Sequence, residues 1–124
     1  MSRQPPLFRR VEEEQGRLDL VVNSAWGPNA MAEWSREFWD LSPGLWRETV
    51  ATINAGWYAS VHAARTMAKQ GQGLIVHVTD NLHPDPSAYR GQILWDLGHE
   101  YLNRLVMASS VELVGLNRGF MRGA

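Results

Sequence analysis

The sequence predicts an α/β fold in which a small parallel sheet is flanked by long helices. Two short apolar runs, Leu18–Ala25 and Leu74–Thr79, alternate with helix-length segments whose apolar residues recur every three or four positions. That alternation points to parallel strands joined by helices. The first run, LDLVVNSA, is apolar on both faces, as strands inside a parallel sheet are. A length of 124 residues, with 44% hydrophobic and 20% charged, makes a single domain, 1–124.

Pro5-Pro6 opens the ordered chain, and Leu7, Phe8 and Val11 share one face of a helix that turns acidic at Glu12–Glu14. Gly16 ends that helix. After the Leu18–Ala25 strand, Gly27-Pro28-Asn29 breaks the chain, and a tryptophan-rich loop or short helix runs to Leu41. Ser42-Pro43 is a helix start, a serine N-cap with proline at the first helical position. The helix Leu45–Lys69 carries Trp46, Val50, Ile53, Trp57, Val61 and Ala64 as its apolar face. Gly56 inside it costs about 1 kcal/mol relative to alanine, so a close helix contact or a kink is expected there. Leu74–Thr79 is rich in β-branched residues and reads as the second strand. Asp80–Gly91 is a loop. A second long helix, Gln92–Leu113, places Leu94, Leu97, Tyr101, Leu105 and Ala108 on one face. Gly115–Ala124 reads as a short glycine- and arginine-containing tail.

Composition removes several function classes. Twelve basic and thirteen acidic residues give a formal charge of −1, so no basic footprint for nucleic acid or anionic membrane is visible. Zero cysteines exclude disulfides, thiolate metal sites and a cysteine nucleophile. No run approaches the roughly 20 apolar residues of a membrane span, and Met1–Glu14 lacks the apolar core of a signal peptide. A soluble, cytoplasmic protein is the expectation. Six tryptophans are a heavy load for this length, serving as anchors of a thin core or as cover for a partner surface or pocket.

The order of these segments resembles the short-chain dehydrogenase/reductase family. Arg17–Gly27 (RLDLVVNSAWG) is similar to the RLDVLVNNAG segment that ends its fourth strand. Asp40–Ala68 resembles the long helix that follows, entered through Pro-x-x-Trp, and Gln70–Thr79 (QGQGLIVHVT) resembles the QGxGxIVNIS fifth strand. Tyr89–Leu113 is similar to the active-site helix, and Gly119–Arg122 (GFMR) to the PGFMRT turn after the sixth strand. The resemblance implies a partial Rossmann-like, doubly wound domain, an oxidoreductase activity and NAD(P) as cofactor. It also implies a homo-oligomer, since the two long helices of that family commonly pack against their copies.

The departures bear on chemistry. The family's TGxxxGxG turn, which seats the cofactor pyrophosphate on a helix N-terminus, is not among these residues. The match starts at the helix before the family's fourth strand, and Glu112 leads almost directly to Gly119 where a sixth strand would stand. The family's YxxxK pair, a tyrosine acid/base and a lysine one turn on that lowers its pKa, falls on Trp95 and His99. Its serine falls on Asp80, and its water-relay asparagine on or beside Asn54. Asn23, Ser24 and Ala25 stand at the cofactor-facing NNA positions, with Ser24 replacing an asparagine. Indole has no useful acidity at neutral pH, and imidazole is a poor substitute for an ammonium group. The expectation is a truncated, catalytically impaired relative that does not bind NAD(P) by itself. The alternatives are a non-catalytic, self-associating or partner-binding module, and a fragment without an independent role.

Other constellations have bland readings. His62, His77, His83 and His99 show no metal-ligand spacing, so structural histidines are expected and no metal. Asp80, His83 and Asp85 form a polar loop, while Asp96, His99 and Glu100 share one helix without a nucleophile placed beside them. Ser109-Ser110 lacks a G-x-S-x-G context.

Overall fold

The fold follows from which side of two long helices is small enough to pack closely. The structure is a computed structural model that describes residues 5–27, 33–80, 85–89 and 91–121, with side chains at all of these except 88 and 115–121. In chain order it contains α1 (Pro6–Gln15), β1 (Leu20–Asn23), a 3-10 turn at Phe38–Asp40, α2 (Pro43–Gln70), β2 (Leu74–His77), a second 3-10 turn at Pro86–Ala88 and α3 (Ile93–Met121). β1 and β2 pair in parallel, with Leu20 opposite Leu74 and Asn23 opposite His77. The predicted α/β class and parallel sheet are therefore present, with strands shorter than the apolar runs that announced them.

Ser42 caps α2 as its sequence suggests: its hydroxyl oxygen accepts from the Leu45 N–H at 3.3 Å, and Pro43 takes the first helical position. Glu33 holds the cap in place, accepting from the Ser42 N–H at 2.8 Å and from the Ser42 hydroxyl. These bonds hold the Glu33 carboxyl below its usual range. The Gly71 C-cap closes the helix with its N–H bonded to the Ala68 carbonyl.

The face of α2 that turns inward is not the predicted apolar stripe. Leu45, Thr49, Thr52, Gly56, Ser60, Ala63 and Met67 are buried, while Trp46 and Trp57 are about half exposed. Small residues win because α3 crosses close to α2. A Cβ at Gly56 would lie 2.6 Å from Cδ2 of Leu102 on α3, so the close contact allowed for at Gly56 is real. Thr49 and Thr52 tolerate burial because their hydroxyls donate to the carbonyls of Leu45 and Glu48 one turn back. On α3, Leu94 and Leu102 are buried, but Leu97 of the expected stripe is half exposed.

A second correction concerns the C-terminus. The residues read as a tail from Gly115 continue α3 to Met121, so Gly119–Met121 is helical and not a turn after a strand. Arg122 lies outside the described residues. α1 lies against α2 through Phe8, whose ring centre is 5.5 Å from that of His62, and through the Thr66 hydroxyl, which donates to Glu12 at 2.8 Å. The sheet is covered by helices on one face only among the described residues. Asn23 is buried, whereas Leu20, Val22, Leu74 and Val78 are each more than half exposed.

Candidate functional site

The carboxyl ends of β1 and β2 and the first turns of α3 meet in one place, and two histidines organise it. His77 closes β2 opposite Asn23. The Asn23 Nδ2 lies 2.9 Å from His77 Nδ1, and the His77 Nε2 lies 2.7 Å from the Ser60 hydroxyl. An amide nitrogen can only donate, so Nδ1 accepts and the neutral ring carries its proton on Nε2, which donates to Ser60. The Ala25 N–H, 3.4 Å from Asn23 Oδ1, supports that amide orientation. A serine–histidine–asparagine chain of this kind looks like a nucleophile array, but the tautomer is the wrong one. An imidazole that already donates to the hydroxyl cannot take its proton. The chain ties β1, β2 and α2 together instead, and burial pushes the His77 pKa down.

His99 lies one helical turn after Trp95 on α3 and is buried. Its Nδ1 accepts from the Asp80 backbone N–H at 2.9 Å, which places the ring proton on Nε2. Burial lowers the His99 pKa, opposed by the charges of Asp80 and Asp96. The Trp26 indole lies flat on this imidazole, with ring centres 4.2 Å apart and planes 6° from parallel. Trp95 meets Trp26 edge-on at 4.7 Å, and Trp34 meets Trp95 at 5.5 Å. Gly98 makes the stack possible, since a Cβ there would lie 2.6 Å from Cη2 of Trp26. Gln92 caps α3, its Oε1 accepting from the Trp95 N–H at 2.6 Å. Beside the cluster, Trp26 and Gly27 meet Leu45, Glu48, Thr49 and Thr52 of α2 at a shallow surface depression too tight to enclose a water molecule.

The residues singled out from sequence thus divide. Asp80, Trp95 and His99 come together. Asn54 stands apart on an exposed face of α2, two residues from the inward-facing Thr52 and Gly56. Of the three NNA positions, Asn23 is buried in the His77 network, while Ser24 and Ala25 are exposed. Sequence reading missed Ser60, which only the strand histidine across from it brings into play, and Trp26, whose place depends on the slot at Gly98. Asp96 acts on His99 only through its charge, and Glu100 is exposed. Ser109 and Ser110 spend their hydroxyls on the carbonyls of Leu105 and Met107. His62 is buried against Phe8, His83 lies outside the described residues, and among the described residues no three metal-ligating side chains gather.

Comparison with known proteins places this geometry. No family model matches the chain. It is 29% identical over 111 residues to human dehydrogenase/reductase SDR family member 1, covering 86% of this chain and 34% of that protein. It is 32% identical over 114 residues to the uncharacterized oxidoreductase YohF of Escherichia coli, covering 86% of this chain and 40% of that protein. The crystal structure of acetoin dehydrogenase from Enterobacter cloacae superposes with a TM-score of 0.69 at 26% identity, over 90% of this chain and 43% of that one. The chain is a partial short-chain dehydrogenase/reductase-like segment. It spans about a third of the length of the human relative. The expected family resemblance and Rossmann-like class hold, and no helix among the described residues is long and apolar enough to cross a membrane.

The residues present do not fit the family's cofactor contact. By the resemblance, the lysine ammonium with which a short-chain dehydrogenase/reductase holds the NAD(P) ribose falls on His99. Here the imidazole has one nitrogen tied to the Asp80 backbone and a ring face covered by Trp26.

Proposed function

We propose that this short-chain dehydrogenase/reductase-like segment does not itself carry out hydride transfer between NAD(P) and a substrate. The observation that carries the reading is Trp26 stacked on His99, with Trp95 packed against both. Proton transfer to a developing alkoxide needs an acid of matched pKa held by a cation. An indole N–H is not such an acid, and a neutral imidazole whose Nδ1 is occupied is not such a cation. Asp80, at the serine position, offers a carboxylate where a carbonyl would need a donor.

Calorimetric titration of the 124-residue chain with NAD+, NADH, NADP+ and NADPH should show no saturable heat. The double variant Trp95→Tyr, His99→Lys restores an i, i+4 acid/base pair, yet should still give no cofactor-dependent reduction of a diketone or aldehyde. A micromolar Kd for either cofactor, or turnover by the double variant, would overturn the proposal.

A second reading, association with another copy of this chain, is favoured by the outward stripes of the two long helices. Trp46, Trp57 and Tyr58 on α2 and Met107, Val111 and Val114 on α3 are each about half exposed or more. Buried against a copy, such area contributes roughly 25 cal/mol per Å². Light scattering on the purified chain should show a dimer or larger species, and a monodisperse monomer would remove this reading.

A further inference from the structure

We propose that His99 is a pH-operated tie between the sheet and α3: the neutral ring holds the segment after β2, and protonation releases that segment while the rest of the fold stays in place. The neutral arrangement rests on three contacts. His99 Nδ1 accepts from the Asp80 backbone N–H at 2.9 Å, joining the chain just beyond β2 to α3. The Trp26 indole, three residues past β1, covers one ring face with centres 4.2 Å apart and planes 6° from parallel. Trp95 packs against the ring from one turn earlier on α3, at 4.5 Å. His99 is 6% exposed, so these contacts rather than bulk water set its hydrogen bonding.

The geometry makes this bond conditional on charge. A neutral imidazole has one donor and one acceptor nitrogen, and Nδ1 is the acceptor because a backbone N–H points at it. A second proton can go only to Nδ1. The ring then has no acceptor left, and two N–H groups face each other where a 2.9 Å bond stood. Turning the ring over brings no relief, since both nitrogens of an imidazolium donate. The Asp80 N–H must leave, and water is an acceptor within its reach because Asp80 is only partly buried.

The surrounding groups keep the change local. Asp80 beyond β2 and Asp96 on α3 both favour the charged ring, against the burial that favours the neutral one. From α2 the ionisable group in this neighbourhood is Glu48, which lines the depression beside Trp26 and is acidic as well. β1 and β2 present Asn23 and His77, which are bonded to each other and, through His77, to Ser60. Trp26 presents a π face, which attracts a cation held against it. A charged His99 is thus accommodated by carboxylates and an indole, whereas a charged His77 faces the Asn23 amide hydrogens. The tie is present above the native pKa of His99 and lost as pH falls through it. This inference concerns neither cofactor nor turnover and stands apart from the proposed function.

The test is an NMR titration of the whole chain from about pH 8 to about pH 5. The Asp80 backbone N–H and the His99 ring resonances should shift with one common midpoint. Below it the Asp80 amide should lose its hydrogen-exchange protection, and the amides of α2 should keep theirs. In His99→Gln the side-chain oxygen accepts from the Asp80 N–H at every pH, so the Asp80 shift should flatten while the His77 ring still titrates. Asp96→Asn removes one charge that favours the imidazolium, and the midpoint should fall by roughly a few tenths of a pH unit. An Asp80 amide that ignores the His99 titration overturns the tie. So does an Asp80 shift that persists in His99→Gln, or a midpoint that Asp96→Asn leaves in place. A simultaneous loss of protection throughout α2 also overturns it, by making the transition global.

Discussion

His77 and His99 are the same side chain in similar surroundings, and they have opposite degrees of completion. Both sit where strand ends meet a helix, and burial depresses both pKa values. His77 has each ring nitrogen bonded, to Asn23 and to Ser60, and the three residues belong to β1, β2 and α2. His99 has one nitrogen bonded and one bare, within a cluster whose other donors are bare as well. A buried polar chain with every valence used is a fastener; one with donors left over is a receptacle or a relic of altered chemistry. The difference matters here because polar residues make up much of the interior. Among the described residues, Thr49, Thr52, Ser60, Gln92 and His99 are as buried as the core leucines, and His77 is partly buried.

The largest effect should come from breaking the complete network. His77→Ala leaves Asn23 and Ser60 buried without partners, and we expect a loss of about 3 kcal/mol in chemical denaturation. The same residue sets a pH dependence whose sign is fixed. Its native pKa lies below the ordinary value near 6.5, so at mildly acidic pH the unfolded chain takes up a proton that the native state refuses. Stability is full above that value and falls as pH drops through it, because a proton on Nδ1 would face the Asn23 amide hydrogens. His99 contributes with the same sign, with Asp80 and Asp96 partly offsetting its shift. A His77→Gln variant should flatten the slope between pH 7 and 5 measured by urea midpoints. An unchanged slope would assign the acid sensitivity to His99.

Intermediate effects should come from two glycines that serve the two regions separately. Gly56→Ala drives a methyl to 2.6 Å from Leu102 and 3.3 Å from the Asn23 amide, so it strains the helix contact and the His77 network together. Gly98→Ala meets Trp26 first, at 2.6 Å and 3.1 Å, and then Thr49 at 3.7 Å. Each overpacking should cost roughly 1–3 kcal/mol. Gly56→Ala should be the costlier, since an α2–α3 crossing yields less readily than an indole. The near-UV circular dichroism should separate them: Gly98→Ala removes the signal of the stacked tryptophans, and Gly56→Ala retains it.

What sequence reading could reach depended on where the physics was local. Strand and helix alternation, the Ser42 cap and the parallel pairing rest on period, propensity and short-range chemistry, and these were legible. The facing of α2 was not. A stripe of Trp46, Val50 and Trp57 reads as a core side only when the core wants volume, and here α3 approaches so closely that glycine, serine and threonine fit and the bulky stripe turns out. The continuation of α3 through Gly115 was missed for a related reason, since glycine lowers helix propensity without forbidding a helix. The site was half legible. Asp80, Trp95 and His99, singled out by the family resemblance, lie together in the structure, whereas Trp26 reaches them only because a residue far along the chain lacks a side chain.

The smallest effect sharpens the boundary between the two regions. Asn54 occupies, by resemblance, the position of an asparagine that supports a water chain to the catalytic lysine. In this chain its side chain is exposed, and the inward positions of that stretch are Thr52 and Gly56. The same resemblance puts the lysine position at His99, whose Nδ1 is already engaged by the Asp80 backbone, so a relay from α2 would arrive at an occupied atom. Asn54→Ala should therefore change stability by less than about 0.5 kcal/mol, in keeping with an exposed helical site away from any network. It should also leave the His99 ring resonances and their pH titration where they were. A displaced His99 titration in Asn54→Ala would mean that a hydrogen-bonded path joins α2 to the donor cluster after all, and the separation drawn between the two histidines would then have to be redrawn to include it.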